Sequence, residues 1–304
     1  MINRVLITGG SGFVGVYLTK HLLAKGYKVS VLSRSIMENT SDVNYFLWDI
    51  EAKTIDKTCL DNVQTIIHLA GENVASGRWS ETRKKRILES RIESTELLYD
   101  LLSTESHVVK SFISASAIGI YGSVTSDLIL EENNIAGTDF LANVCEQWES
   151  SIFKVNTLGI RTVALRTGIV LASDQGALAK MRTPFKLGFG SALASGNQYI
   201  PWIHIHDLCQ MYVFAMENQD IKGAFNAVVG DEVTNEEFSR KFAKAVKRPL
   251  FMPNIPKFIM QLIFGEMSVI LTEGSRISSE KIKAKGFQFS FSNLSEALEK
   301  LFKS

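Results

Sequence analysis

Three cysteines in 304 residues (Cys59, Cys145 and Cys209) are too widely spaced, and odd in number, for a disulfide framework. A reducing compartment fits that pattern, and the cytoplasm is the expected location. No apolar run approaches the ~20 residues that cross a bilayer. Glycine follows the first apolar run too soon for a signal peptide, so no membrane partner is expected. Charge is nearly balanced: 33 basic against 32 acidic side chains leave a net +1. That balance gives no general reason to expect nucleic acid or an anionic surface as partner. The basic run Arg83-Lys84-Lys85-Arg86 is flanked by Glu81, Glu89 and Glu93 and reads as a solvated helix face. Internal repeats, low-complexity tracts and flexible linkers are missing as well, so a second unit should pack closely on the first. The partner this leaves is a small molecule, bound by a monomer or a homodimer.

What is present is a globular composition, 45% hydrophobic and 21% charged. RVLIT (4–8), KVSVLS (28–33), YFLW (45–48), TIIHLA (65–70), VKSFISAS (109–116) and TVALRT (162–167) read as strands. Their continuous hydrophobicity suits a parallel sheet covered on both faces. Helical patterns fall between them at about 14–25, 80–102 and 138–155. This alternation predicts an α/β fold, a doubly wound parallel Rossmann sheet with right-handed crossovers. Past residue 170 the pattern breaks into Gly- and Ser-rich loops; GAFNAVV (223–229) reads as a further strand and NEEFSRKFAKAV (235–246) as a helix. We expect a nucleotide-binding domain over 1–170, completed by a segment near 200–228, and a smaller C-terminal α/β cap from 171–199 and 229–304.

TGGSGFVG (8–15) follows the first strand and opens the first helix, with Gly9, Gly12 and Gly15 in G-x-x-G-x-x-G spacing. Such glycines allow a tight turn and close backbone approach to a pyrophosphate. The helix start, at Phe13, then offers free N–H groups and a partial positive charge. Chains that bind NAD usually carry an acid at the end of the second strand, for the ribose 2′-hydroxyl. Here that position holds Ser33 and Arg34, with no acid before Glu38. A guanidinium suits a 2′-phosphate, so NADP is the expected cofactor; the plainer reading of Arg34 is an exposed strand-end arginine. Asp49 in WDI (48–50) is expected near the adenine amino group, and Leu69, Ala70 and Gly71 of HLAG (68–71) along the adenine-side ribose and phosphates. His68, inside an apolar strand, reads as a packed core histidine.

The glycine loop, HLAG, SASAIGIYG (114–122) and WIHIHDL (202–208) together resemble the extended short-chain dehydrogenase/reductases, the nucleotide-sugar epimerase/dehydratase class. GENVASGRW (71–79), DFLANVCEQWE (139–149), LRTGIVL (165–171) and SGNQYIPWIH (195–204) are similar to an atypical branch, the epimerase family proteins. The tail, from GAFNAVVGDEVTNEEFSRKFAKAVKRP (223–249) to GFQFSF (286–291), resembles that branch's C-terminal domain of unknown function. The resemblance covers essentially the whole chain. It implies an NAD(P)-binding fold and carries over no substrate.

In the extended family a Ser or Thr orients substrate, a tyrosine exchanges a proton, and a lysine four residues on lowers the tyrosine's pKa and holds the nicotinamide ribose. With Glu149 as register anchor, those last two positions fall on Leu141 and Cys145, and sliding by one gives Phe140 and Val144. The acid/base pair is gone. Ser116 and Tyr121 are the remaining catalytic candidates, Ser116 as a hydrogen-bond donor and Tyr121 as a wall or a proton donor. Cys145 has no basic neighbour in sequence and reads as a buried thiol. Arg78 and Trp79, after the fourth strand, and Gln198, Trp202 and His204, in the loop 188–204, are expected to line the substrate side. His204 and His206, two apart on an expected strand beside Asp207, are too few ligands for a metal. The expected function is an NADP-binding oxidoreductase or epimerase-like enzyme with a non-standard site. The alternative is a non-catalytic NADP-binding sensor or scaffold, a reading kept open by relatives of the branch associated with cell division.

Overall fold

The computed structural model describes residues 4–35 and 37–303. The strands are β1 (Arg4–Thr8), β2 (Lys28–Ser33), β3 (Val43–Asp49), β4 (Thr54–Ile55), β5 (Val63–His68), β6 (Ser111–Ala117), β7 (Ile129–Leu130), β8 (Arg161–Thr167), β9 (Ile169–Leu171), β10 (Trp202–His204), β11 (Gly223–Ala227) and β12 (Arg276–Ile277). Eight of them form one sheet in the order β11-β8-β6-β5-β1-β2-β3-β4, parallel except for the β3–β4 edge. Strand order reverses between β1 and β5, which opens a crevice at their carboxyl ends.

Alternate strand residues build two separate cores, as period-two side chains on a doubly covered sheet must. Ile67, Ile113 and Val163 face one way, toward Leu18 and Leu22 of α1 (Phe13–Ala24) and toward a later helix carrying Leu208 and Tyr212. Ile66, Phe112 and Ala164 face the other way, against Leu98 of α2 (Glu81–Thr104) and Trp148 and Ile152 of α3 (Phe140–Lys154). Side chains set the starts of these two helices: the Ser80 hydroxyl accepts the Arg83 N–H, and Asp139 accepts that of Ala142.

The chain then forms α4 (Gly176–Lys186), α5 (Ile205–Glu217), α6 (Asn235–Ala245) and α7 (Lys257–Phe264), with a terminal helix at Leu294–Phe302. Leu178, Phe185, Trp202, Phe238, Phe242 and Leu298 form a third core among them. Asp207 on α5 is fully buried and accepts the N–H groups of Ser290 and Phe291 at 2.9 and 3.0 Å, which ties the tail to the sheet-covering helix.

Two local readings change. His206 is not on a strand: β10 ends at His204, whose Nδ1 accepts the His206 N–H at 3.1 Å and thereby starts α5. Leu69 and Ala70 lie beyond β5, which ends at His68; both N–H groups donate to the Thr8 hydroxyl at 3.1 Å, and that of Leu69 also to the Thr8 carbonyl at 3.2 Å. Among the described residues no helix is long and apolar enough to cross a membrane.

Candidate functional site

The crevice is shaped by close approach. Gly9 has φ +67°, and a Cβ there would lie 2.9 Å from the Leu69 carbonyl. A Cβ on Gly15 would lie 2.2 Å from the Gly9 oxygen. The loop is thus folded onto itself and onto the end of β5 at contact distance. Gly12 caps α1 with no side-chain bond, and the first turn contains no acid. The first N–H groups of α1, from Phe13 onward, lack both intrahelical and side-chain acceptors.

His68 and Thr8 pin the floor. Thr8 Oγ1 lies 2.7 Å from His68 Nδ1, and the Ser94 and Thr95 hydroxyls lie 3.2 Å from Nε2. Because Thr8 Oγ1 already accepts two N–H groups, it donates its proton to Nδ1; the network therefore assigns the imidazole proton to Nε2. Burial, and secondarily the charge of Arg91, push the His68 pKa down to about 3. The ring is neutral and joins β1, β5 and α2.

At the end of β2, the Ser33 hydroxyl accepts the Ser35 N–H at 3.1 Å, while Arg34 is exposed. Asp49 ends β3, exposed, and accepts the Ala52 N–H at 3.0 Å. The Phe13 ring lies against Gly176 at the start of α4, and the Tyr17 hydroxyl bonds Asp174.

Across the switch point, Leu141 and Cys145 share one face of α3 and pack on the turn after β6. A Cβ on Gly119 would lie 3.4 Å from Leu141 Cβ and 3.5 Å from Cys145 Sγ. Burial pushes the Cys145 thiol up to about 12, against the opposing charge of Arg91. Four residues on, Glu149 faces the sheet as well. It accepts Nε and Nη2 of Arg166 at 2.8 Å each and the Ser116 hydroxyl at 2.6 Å. Arg166 Nη1 donates to the Tyr121 oxygen and to the Glu132 carbonyl, both at 3.0 Å; Tyr121 donates to Asn226 at 2.6 Å. Burial opposes the Arg166 charge, but Glu149 and then Tyr121 hold its pKa above the arginine norm. Burial also raises Tyr121, with Arg166 opposing, so it is a phenol at neutral pH. The hydroxyls of Ser116 and Tyr121 therefore belong to one buried network.

The residues expected on the substrate side have defined partners too. Arg78 donates to the carbonyls of Leu262 and Ile263 at the end of α7. Trp79 is buried, donates to the Val74 carbonyl at 2.9 Å and lies edge-on to Phe140. Gln198 is fully buried and donates to the carbonyls of Leu193 and Leu271. Trp202 sits in the third core, and His204 stacks on Phe291 at 4.0 Å. The structure distributes them over these separate packing environments, with Arg78 alone of the five exposed.

Residues 5–144 match the NAD dependent epimerase/dehydratase family, and residues 255–301 a domain of unknown function, DUF1731. The epimerase family protein YfhF of Bacillus subtilis is 34% identical over 98% of this chain and 97% of its own length. The chain belongs to the epimerase family. The human epimerase family protein SDR39U1, solved with NADPH, is 32% identical with a TM-score of 0.89 over 99% of each chain. At 21% identity the Thermus thermophilus UDP-glucose 4-epimerase, solved with NAD, shares the fold, with a TM-score of 0.75 over 99% of each chain.

Sequence reasoning missed the buried network that joins Glu149, Arg166 and Asn226, and the place of Arg91 near His68 and Cys145. A signal existed for two of them. Glu149 continues the Leu141–Cys145 spacing onto the buried face of α3, and Arg166 interrupts an apolar strand. An inward acid and a strand arginine call for each other. Asn226 and Arg91 carried no comparable signal.

Proposed function

We propose that this chain binds NADP(H) in the β1–β5 crevice and is an oxidoreductase or epimerase-like enzyme acting on a small molecule. The observation that carries the reading is the start of α1, without a side-chain cap or an acid, at the end of a loop that only glycine at 9 and 15 can make. A pyrophosphate placed there would meet free N–H groups and the helix dipole. The dinucleotide would supply or accept the hydride. Arg34 supports the phosphorylated form of the cofactor, as does the human relative solved with NADPH. The chain's own part is positioning and the exclusion of water by the Leu141–Cys145 face. Proton movement falls to water or to the substrate's own groups, because Ser116 is committed to Glu149 and Tyr121 to Asn226.

Those committed hydroxyls also favour a second reading, a sensor or scaffold that binds NADP(H) and performs no chemistry. Calorimetric titration tests the cofactor assignment. NADPH should bind about ten- to a hundredfold more tightly than NADH, and Arg34→Ala should remove the preference. Equal affinities, or a preference that survives Arg34→Ala, would remove that assignment. A metabolite screen following NADPH oxidation, with Gly15→Ala as control, separates enzyme from sensor.

A further inference from the structure

The near-neutral charge of the chain is unevenly spread. No acid occurs in residues 175–206 or 238–265, which carry three and six cations respectively. The fold lays these two segments side by side: the Ala194 N–H donates to the Ile255 carbonyl at 2.8 Å, and the Ile255 N–H to that of Ala192 at 2.9 Å. The pairing is parallel, so Phe189 and Phe251 lie toward the same end, where Arg248 Nε donates to the Lys186 carbonyl at 2.8 Å. α7 begins just after Ile255. Met260 is its buried residue, and Phe258 and Leu262, one turn apart, lie on the opposite side. Arg78 ties the last turn of α7 to the loop after β5.

Large apolar side chains stand out along this strip. Phe189, Phe251, Phe258 and Leu262 are 65%, 69%, 67% and 73% exposed, and Leu187 and Ile263 are exposed beside them. Side chains so open to solvent project from the surface and do not line a groove. The three rings alone present on the order of 300–500 Å², as much as the largest apolar patch of a typical monomer. Exposed cations precede them in the chain: Lys186 before Leu187, Lys247 and Arg248 before Phe251, and Lys257 before Phe258. The nearby acids are answered, Glu236 by Arg240 and Glu273 by Lys257. Among the described residues Lys186, Lys247 and Arg248 join no ion pair.

Projecting apolar groups among unpaired cations match a bilayer interface, where hydrocarbon takes the rings and lipid phosphates take the charge. A second copy of the chain fits poorly, because a two-fold interface would set the cations of each copy against those of the other. We propose that α7 and the paired tips at Phe189 and Phe251 seat the protein on an anionic lipid surface, lying on the bilayer without crossing it.

Vesicle flotation tests this with the whole chain and two variants, F258Q/L262Q and K186Q/K247Q, whose altered side chains are all exposed. Both variants should keep the wild-type urea midpoint. Wild type should bind vesicles of equal parts phosphatidylglycerol and phosphatidylcholine at least about tenfold more tightly than pure phosphatidylcholine, and salt should weaken that binding. F258Q/L262Q should lose about tenfold or more. K186Q/K247Q should lose about fivefold per charge, on the anionic vesicles only. Wild type that ignores the anionic vesicles, that binds both lipids equally, or that binds no better than F258Q/L262Q overturns the proposal. A wild-type dimer in sedimentation velocity that F258Q/L262Q dissolves, with vesicle binding unchanged, also overturns it, by assigning the strip to a second copy.

Discussion

A single methyl group at position 15 would sit 2.2 Å from the Gly9 carbonyl oxygen, a distance no side-chain rotation can relieve. At position 12 the same group meets that oxygen at 3.1 Å and otherwise points to open space. Gly15→Ala should therefore weaken NADPH binding about a hundredfold or more, while Gly12→Ala leaves a measurable affinity. Fluorescence titration of both variants checks this, and equal affinities for the two would contradict the geometry. Such positions can be read from the sequence because a glycine loop is local: its spacing, the preceding strand and the following helix lie within about a dozen residues. Arg91 could not be read in that way. Its surroundings are Gly71, just past β5, and Trp148 on α3, which lie far from it in the chain.

The carboxylate of Glu149 on α3 and the guanidinium of Arg166 on β8 are both nearly excluded from water, with side chains 7% and 8% exposed. Removing one partner leaves the other buried and uncompensated. Glu149→Ala should destabilise the protein by about 3–5 kcal/mol in urea unfolding, and the pair Glu149→Leu with Arg166→Met should recover much of that loss. A single variant as stable as the double would show that the pair is not coupled. The helix itself was predictable from its apolar period; that Leu141 and Cys145 stand at the tyrosine and lysine positions is what the family resemblance implies. The use of the next turn was not predictable. Periodicity tells which face is inward, but the partner on β8 depends on strand order, which the sequence pattern leaves open.

His68 and His204 are buried and neutral in the folded protein, with pKa values of about 3 and about 4, each lowered chiefly by burial. In the unfolded chain both titrate near ~6.5. The unfolded state therefore takes up protons first, and stability falls as pH drops below about 6.5, by up to about 1.4 kcal/mol per pH unit for each ring. Their contribution is complete above that pH and exhausted below the folded values. Urea midpoints between pH 7.5 and 5 should decline in wild type and decline less in His68→Gln. Parallel declines would show that His68 is not responsible. The alternation of strand and helix made the molecule's main architecture readable up to residue 170. Beyond that point the order is kept by distant contacts, such as Asp207 holding the backbone at Ser290 and Phe291, which leave no periodic trace.

The outermost strand β11 pairs with β8 across an interval of about 55 residues of intervening chain. During synthesis, at about 5–20 residues per second, β8 therefore waits some 3–11 s for its neighbour. Throughout that delay its edge presents unpaired N–H and C=O groups, the feature that recruits other chains. The newborn protein thus passes through an interval of vulnerability to aggregation that the finished fold does not display, and its length is set by how far the chain travels before returning to the sheet.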